Sequence, residues 1–387
     1  MDINTFTQSR SDEWAQRGLS RQIRHFTTAQ TPTANIDGRT LLQFATSDYL
    51  GLSTHPALLR AACEQGTALG VGSGGSRLTT GTSIHAALER ELATFFGYPD
   101  AVFFASGYQC NVAVISALAD PDVTFFSDEH NHASLIDGMR MQRHSRTVVY
   151  PHRNYEVLDL LLRSRTTPHA LIISDGVFSM SGATADLAAL RALADTHDAW
   201  LLIDDAHGTG TVGETGRGLI EATQIKPDIL ISTASKALGV EGGIALCSAN
   251  VAHFLKSQAR GFVFSTSPSP LIVGAVREAL AIIDREPERI DTLRARIYQL
   301  HRRLGLTPPA IPTPIVRIPI GDEQRCITIS QHLMDNGIFV PAIRYPTVAR
   351  NQAIVRITIT AHHTLDQINQ LCAALTLACA KFSPTTS

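Results

Sequence analysis

The chain has 387 residues, with 33 Lys and Arg against 35 Asp and Glu and a formal net charge of −2. This balance leaves no excess of basic side chains for nucleic acid, whose binding depends on neutralising phosphates. No apolar run approaches the roughly 20 residues that span a bilayer, and the polar start lacks the apolar core of a signal peptide. We therefore expect a cytoplasmic protein that binds neither nucleic acid nor a membrane.

The first 50 residues are expected to form a helical arm followed by an extended segment, LLQFATSDYL, at 41–50. From about residue 100 to about residue 290, short apolar runs alternate with stretches of helix length. Runs that are apolar on both faces and separated in this way predict a mostly parallel sheet covered by helices. Seven such runs are the strand candidates: 101–106, 123–128, 146–150, 169–175, 200–205, 228–233 and 243–248.

From residue 291 to 387 the pattern changes to that of a small α+β domain. Strands are predicted in TPIVRIPIG, GIFVPAI and AIVRITIT, and helices in ITISQHLMDN and LDQINQLCAALTLACA. The predicted fold class is therefore α/β, with a large domain at 51–290 that follows the arm at 1–50 and precedes the small domain.

Polar residues follow several of the predicted strands directly. In an open parallel sheet, functional groups gather beyond the carboxyl ends of the strands. The segments that meet this rule are 106–108, 128–132, 175–179, 204–207 and 233–236. We expect a site at this edge of the sheet.

Lys236 follows a buried strand in ISTASKALG, among small hydroxyl residues. Burial lowers the pKa of a lysine towards the amine form, and an amine is what a Schiff base with an aldehyde requires. Taken alone, the residue is better explained as a lysine at a helix start that extends into solvent.

Asp204 ends the apolar run WLLIDD, where an unpaired carboxylate would be costly. The pyridine nitrogen of pyridoxal 5′-phosphate (PLP) needs an acidic partner to act as an electron sink. His207, three residues later, is placed to contact the phenolic oxygen of that ring. Without Lys236, a capping aspartate with a neighbouring histidine explains the same pattern.

A phosphate site is predicted where AVFFAS leads into Gly107 and Tyr108, because free amides at a helix start bind anions. Thr233 and Ser235 add hydroxyls, although an ordinary strand-to-helix turn fits equally well. GVGSGG at 70–75 has the spacing of a dinucleotide fingerprint, but it follows a helical pattern instead of a strand. We interpret it as a loop. A metal site is not expected, because the six cysteines form no C-x-x-C pair.

Seven motifs in order resemble the α-oxoamine synthases, which are fold type I PLP-dependent transferases of the aspartate aminotransferase superfamily. The motifs are GSGGSRLTTG, SDEHNHASLIDG, DGVFSMSG, DDAHGTG, STASKALG, FSTSPSP and VRITIT. They extend over nearly the whole chain. Within the family, IFVPAIRYPTV favours the branch that acts in biotin biosynthesis.

The resemblance implies roles for individual residues. Lys236 would hold PLP as a Schiff base and then remove the Cα proton, Asp204 would pair with the pyridine nitrogen, His207 would contact the phenolic oxygen, and His132 would stack on the ring. The other implied cofactor contacts are Gly107, Tyr108, Ser179, Thr233, Ser235 and, from the second subunit of a homodimer, Thr266. Substrate contacts would come from Arg21, Ser47, Thr347 and Arg356, with Arg356 suited to bind a carboxylate.

Four residues depart from the family pattern. The family usually has Asn at Ser47, Pro at Ala349, Glu at Asp175 and Asp at Ser181. None of these four differences removes a group that the implied chemistry requires. Ser47 and Ala349 lie near the expected substrate site, and they leave the choice of substrates open.

The implied reaction is a decarboxylative condensation of L-alanine with a pimeloyl thioester of CoA or of a carrier protein. A family member that uses another acyl chain or amino acid, of the signal-molecule, sphingoid or 2-amino-3-ketobutyrate type, is the main alternative. An aminotransferase and a PLP-binding protein without catalysis are further alternatives.

Overall fold

A seven-stranded sheet organises the larger part of the chain in the computed structural model, which describes residues 1–142 and 144–383. Contacts divide the chain into two units. The large unit comprises Thr46–Val316 and Thr358–Asn369, and the small unit comprises Met1–Ala45, Arg317–Ile357 and Gln370–Ser387. The domain bounds expected from the sequence remain a prediction.

The strands of the main sheet are β3 (Asp100–Phe104), β4 (Val123–Asp128), β5 (Arg146–Tyr150), β6 (His169–Asp175), β7 (Trp200–Asp204), β8 (Ile229–Thr233) and β9 (Gly243–Cys247). Their order in the sheet is β3-β9-β8-β7-β6-β4-β5. Strand β9 runs antiparallel to both of its neighbours, whereas β8, β7, β6, β4 and β5 pair in parallel. The predicted mostly parallel seven-stranded sheet is confirmed, and all seven strands lie where the apolar runs placed them.

Helices connect these strands. Their bounds are α2 (Pro56–Leu69), α3 (Arg77–Thr80), α4 (Ser83–Phe96), α5 (Gly107–Leu118), α6 (Ala133–Arg140), α7 (Tyr155–Arg163), α8 (Leu187–Thr196), α9 (Leu219–Thr223), α10 (Ala249–Gln258), α11 (Arg260–Val263), α12 (Pro270–Arg285) and α13 (Glu288–Arg303), with a 3₁₀ turn at Leu52–Thr54. Residues 70–75 lie between α2 and α3 and form no helix or strand, as expected of a loop.

Buried apolar side chains from the sheet and from α5, α6, α10 and α11 form one continuous core. Strands β4, β6, β7, β8 and β9 are buried on both faces, which explains their unbroken apolar sequences. Because β7 pairs in register with β6 and β8, Asp204 lies beside Asp175 on one side and Ile231 on the other.

Most of the remaining elements belong to the small unit. They are α1 (Ile3–Gln16), β1 (Thr33–Ile36), β2 (Arg39–Gln43), β10 (Ile315–Gly321), α14 (Glu323–Asp335), β11 (Ile338–Phe339), β12 (Ala342–Ile343), β13 (Ala353–Thr358) and α15 (Leu365–Lys381). The strands among them form two three-stranded sheets, β1-β2-β11 and β10-β13-β12. None of the helices within the described residues is both long and apolar enough to cross a membrane.

Candidate active site

A cavity of about 250 Å³ opens at the carboxyl-terminal edge of the main sheet. The starts of α5 and α6 and the turns after β6, β7 and β8 form its walls. Nine of the residues expected to contact the cofactor line it: Gly107, Tyr108, His132, Ser179, Asp204, His207, Thr233, Ser235 and Lys236. We call this space the sheet-edge cavity.

Lys236 lies half-buried in the turn between β8 and β9. The sequence contains four lysines, all within the described residues. Lys226 donates to the carbonyl oxygen of Gly97, Lys256 pairs with Asp100 at 3.3 Å, and Lys381 ends α15. Lysine chemistry in the sheet-edge cavity therefore depends on Lys236.

Asp204 and Asp205 are adjacent but occupy different surroundings. Asp204 lines the cavity, where its carboxylate accepts the side-chain amide of Asn111 at 2.6 Å and the backbone N–H of Ala206 at 3.0 Å. Asp205 is fully buried and accepts the N–H of Leu219 at 2.6 Å, and burial raises its pKa to about 7. Of these two carboxyl groups, that of Asp204 is thus the one that a ligand in the cavity would meet.

His207 is buried beside Asp204, and its Nδ1 lies 2.6 Å from the hydroxyl of Tyr49. Tyr49 is completely buried and also approaches the Ser47 hydroxyl at 3.4 Å. A hydrogen bond at one ring nitrogen fixes the orientation of the imidazole and leaves the other nitrogen for a different partner. Tyr49 therefore sets how His207 is presented to the cavity.

His132 is the N-cap residue of α6, and its Nδ1 accepts the backbone N–H of Ser134 at 3.3 Å. The same nitrogen lies 2.7 Å from the Ser134 hydroxyl. Partial burial of the ring lowers the pKa of His132, which favours the neutral imidazole. A neutral aromatic ring at the cavity wall suits stacking on another ring.

Asp175 also lines the cavity, and its side chain is buried. Burial, together with the neighbouring charge of Asp204, raises the pKa of Asp175 well above its usual value. Two carboxyl groups at the ends of paired strands do not readily ionise together. Burial therefore favours the protonated form of Asp175.

The start of α5 forms the anion-binding end of the cavity. Ser106 caps the helix by accepting the N–H of Gln109 at 3.1 Å, which leaves the amides of Gly107 and Tyr108 for another acceptor. A Cβ on Gly107 would come within 3.2 Å of Thr233, so glycine keeps this end of the cavity open. The Thr233 hydroxyl lies 2.8 Å from that of Ser235.

Within the part of the chain that the structure describes, two predicted site residues of the large unit do not line the sheet-edge cavity. Thr266 lies exposed between α11 and α12, and the hydroxyl of Ser47 lies 3.4 Å from that of Tyr49. Arg21, Thr347 and Arg356 belong to the small unit. Arg356 is buried in β13, where its backbone N–H donates to Pro341.

Arg21 and Thr347 line a second cavity, of about 620 Å³, inside the small unit. We call it the small-unit cavity. Two more arginines line it: Arg24, which pairs with Asp37, and Arg344, which donates to the backbone carbonyls of Gly18 and Ser20. Its apolar wall consists of Ile327, Met334, Phe339 and Ile343. Arginines beside an apolar wall suit a ligand with an anionic group and an aliphatic stem.

Among residues that were absent from the expected site, Asn111 and Ser134 line the sheet-edge cavity, and Tyr49 contacts His207, which lines it. Asn111 lies one turn into α5 from Gly107, and Ser134 lies two positions after His132. Helical spacing from a predicted phosphate turn is the signal that could have found Asn111.

Comparison with known proteins places this site in a family. A model of the family described as aminotransferase class I and II matches residues 39–375. The 8-amino-7-oxononanoate synthase of Lysinibacillus sphaericus is 39% identical, and the match covers 92% of this chain and 93% of that protein. These matches confirm the resemblance expected from the motifs.

The biotin biosynthesis bifunctional protein BioWF of Corynebacterium kroppenstedtii is 45% identical over 97% of this chain. The chain spans 58% of the length of that relative. A solved structure of serine palmitoyltransferase from S. paucimobilis, with a bound PLP–myriocin aldimine, matches with a TM-score of 0.91 and 26% identity over 99% of both chains. The fold class predicted from the sequence is thereby confirmed.

Proposed function

Since the chain belongs to the aminotransferase class I and II family, we propose that it is a PLP-dependent enzyme that condenses L-alanine with a pimeloyl thioester. The products are 8-amino-7-oxononanoate, carbon dioxide and the free thiol. The observation that carries the proposal is the combination of Lys236 and Asp204 in one cavity with relatives named for this product at 38 to 40% identity over more than 90% of both chains.

The sheet-edge cavity has the donors that PLP requires. The free amides of Gly107 and Tyr108 and the hydroxyl of Ser235 suit a phosphate. At the other end, the Asp204 carboxylate suits a protonated ring nitrogen, and Lys236 is the lysine within reach of an aldehyde carbon. A buried oxygen of Asn111, Oδ1, has no hydrogen-bond partner among the described residues, as expected beside a site built for a ligand.

When bound, PLP supplies an electron sink for the charge left on an amino acid Cα. Lys236 would hold the cofactor through its amine and, once displaced by the substrate amine, would accept the Cα proton at Nζ. Asp204 would keep a proton on the ring nitrogen. His207, oriented by Tyr49, would donate to the phenolic oxygen, and His132 would cover one ring face.

Four residues are proposed to bind the substrates. Arg356 would bind the carboxylate of the amino acid, the group that is later lost as carbon dioxide, because arginine binds carboxylates bidentately. Ser47 is also proposed to contact substrate. Arg21 and Thr347 would bind the acyl substrate, since their cavity offers cationic groups beside an apolar wall.

A homodimer is part of the proposal, with Thr266 reaching the phosphate of the partner subunit. Exposed apolar side chains support this role for the surface near α11. Phe264 is 73% exposed, Leu78 60% and Val71 78%, and exposed apolar groups of this size are typical of interfaces. The cytoplasmic location expected from the sequence remains a prediction.

A second candidate is condensation with a different acyl chain or amino acid. The match to a serine palmitoyltransferase over 99% of the chain favours it, as do Ser47 and Ala349, which depart from the usual family residues near the expected substrate site. CoA and a carrier protein are both compatible with the chain as thioester carriers.

The test is a substrate matrix with the PLP-loaded protein. L-alanine, glycine and L-serine are each combined with pimeloyl-CoA, a pimeloyl carrier protein, acetyl-CoA and palmitoyl-CoA, and carbon dioxide and the amino ketone are measured. The proposal predicts turnover with L-alanine and a pimeloyl thioester. Turnover with another pair alone would replace it with the second candidate, and transfer of the amino group without carbon dioxide would identify an aminotransferase. Borohydride-reducible absorbance without any turnover would identify a PLP-binding protein.

A further inference from the structure

Four polar side chains connect the two walls of the sheet-edge cavity in an unbroken series of hydrogen bonds. His132 Nδ1 lies 2.7 Å from Ser134 Oγ, Ser134 Oγ lies 2.8 Å from Asn111 Nδ2, and Asn111 Nδ2 lies 2.6 Å from Asp204 Oδ2. Asn111 is 2% exposed and Ser134 is fully buried. Water is therefore excluded from the middle of the series. Each hydrogen bond in the series must have one of these four side chains as its donor.

The chemistry of each group fixes where the protons lie. A carboxylate only accepts, so Asn111 must direct its amide nitrogen, not its oxygen, towards Asp204. The amide nitrogen cannot accept, so its second hydrogen is donated to Ser134 Oγ. A flipped amide would place its oxygen against the Asp204 carboxylate. The Asn111 oxygen instead points to a place where, among the described residues, it has no partner.

The hydroxyl proton of Ser134 then has one acceptor within residues 1–142 and 144–383, which is Nδ1 of His132. The backbone N–H of Ser134 donates to the same nitrogen at 3.3 Å. Two donors directed at Nδ1 require that it carry a lone pair.

We infer that Asn111 and Ser134 are positioning residues that hold His132 as a neutral imidazole with its proton on Nε2, through a series of hydrogen bonds that begins at Asp204. His132 then offers a fixed N–H donor instead of a mobile proton. The role of His132 in the reaction, which is to stack on a ring and direct one hydrogen bond, rests on the proposed function. The assignment of its tautomer does not depend on that function.

Charged groups surround His132 from several elements. Asp204 at the end of β7 and Asp137 on α6 favour the protonated ring, whereas Lys236 after β8 opposes it, and the Asp175 carboxyl at the end of β6 receives the backbone N–H of His132. Burial of the ring outweighs the attraction of the carboxylates, so the pKa of His132 is lowered. The Ser134 hydroxyl adds a donor that only the neutral ring can accept, so it stabilises the neutral form further.

The tautomer is measured by NMR of the PLP-loaded protein labelled with ¹⁵N-histidine, without substrate. The His132 signals are assigned by their loss in a His132→Gln variant. We expect Nδ1 to be unprotonated and Nε2 protonated at neutral pH. In Ser134→Ala the protonation constant of His132 is expected to rise about three- to tenfold, which corresponds to the loss of one hydrogen bond.

Ser116→Ala is the matched control, because Ser116 on α5 accepts from Gln142 at 2.8 Å outside the cavity. It should leave the His132 signals unchanged. A proton on Nδ1 in the unmodified protein would overturn the inference, and this result needs no variant to fold. An unchanged protonation constant in Ser134→Ala would also overturn it. If the substrate matrix failed, these results would still stand, and the same signals can be recorded without PLP.

Discussion

The two cavities are built on different physical principles. In the sheet-edge cavity, charged and polar side chains bond to one another and are buried, as in the Asp204–Asn111 and His207–Tyr49 pairs. In the small-unit cavity, Arg21 and Arg24 are exposed on a segment without helix or strand. A buried network fixes geometry, because each group has few alternatives. An exposed segment has more freedom to adapt to its ligand. Under the proposed function, the chemical step therefore belongs to the first cavity and binding of the acyl substrate to the second.

The largest expected effect comes from Lys236→Ala. Turnover should fall by at least about 10²- to 10⁴-fold, the usual contribution of a positioned proton acceptor, and borohydride should no longer fix the cofactor to the protein. Lys226→Ala, which removes a lysine bonded to Gly97, is the control and should retain both properties. Carbon dioxide release measures the first and absorbance after gel filtration the second. Full turnover in Lys236→Ala would contradict the assignment of the chemical step to the sheet-edge cavity.

Asp204→Asn should lower turnover by roughly 10²- to 10³-fold, because the amide cannot hold a proton on a ring nitrogen and the loss of one preorganised charge typically has this magnitude. The Michaelis constant for the acyl thioester should change little. Asp122→Asn, at an exposed position, controls for the same chemical change. A large rise in the Michaelis constant with unchanged turnover would place Asp204 in substrate binding instead.

Tyr49→Phe tests the buried support of His207. Removing the hydroxyl leaves His207 Nδ1 without this bond, and we expect PLP affinity to fall about 5- to 30-fold, which corresponds to roughly 1–2 kcal/mol. The matched control is Tyr98→Phe, since the hydroxyl of Tyr98 donates to Pro227 at 3.1 Å away from the cavity. Fluorescence titration with PLP gives both affinities. Equal losses in the two variants would show a general effect on stability.

The smallest effect is expected in the small-unit cavity. Arg344→Gln removes donors to Gly18 and Ser20, which hold the segment that carries Arg21. We expect the Michaelis constant for the acyl thioester to rise about threefold, within the net range of one hydrogen bond, while turnover at saturation is unchanged. Arg317→Gln, an exposed arginine of the same unit, is the control. A fall in saturated turnover would mean that the small-unit cavity takes part in the chemical step.

Much of the sheet could be predicted because its strands are buried on both faces. Each apolar run, such as WLLID at Trp200–Asp204, ends where a polar residue reaches the open edge. Because functional groups gather at the carboxyl ends of parallel strands, the same pattern predicts Asp204 and Lys236 in one site. Strand ends alone therefore place these two residues together, whereas their roles toward a cofactor came from the family resemblance and remain a proposal.

Residues whose role depends on helices or on distant pairing could not be predicted. Asn111 lies within an apolar helix, and nothing in its sequence neighbourhood shows that it meets Asp204, 93 positions later. Tyr49 was expected in an extended segment, but its hydroxyl meets His207. In the small unit, β2 pairs with the two-residue strand β11, Leu42 opposite Ile338, a pairing too short and too distant in sequence to produce a periodic signal.

The most direct test of the account is to map the covalent site of the cofactor. The PLP-loaded protein is reduced with borohydride and digested, and the modified lysine is identified by mass spectrometry among the four in the chain. We predict modification of Lys236, with Lys226, Lys256 and Lys381 unmodified. Modification at one of those three in place of Lys236, in protein that still turns over substrate, would contradict the assignment of the chemistry to the sheet-edge cavity.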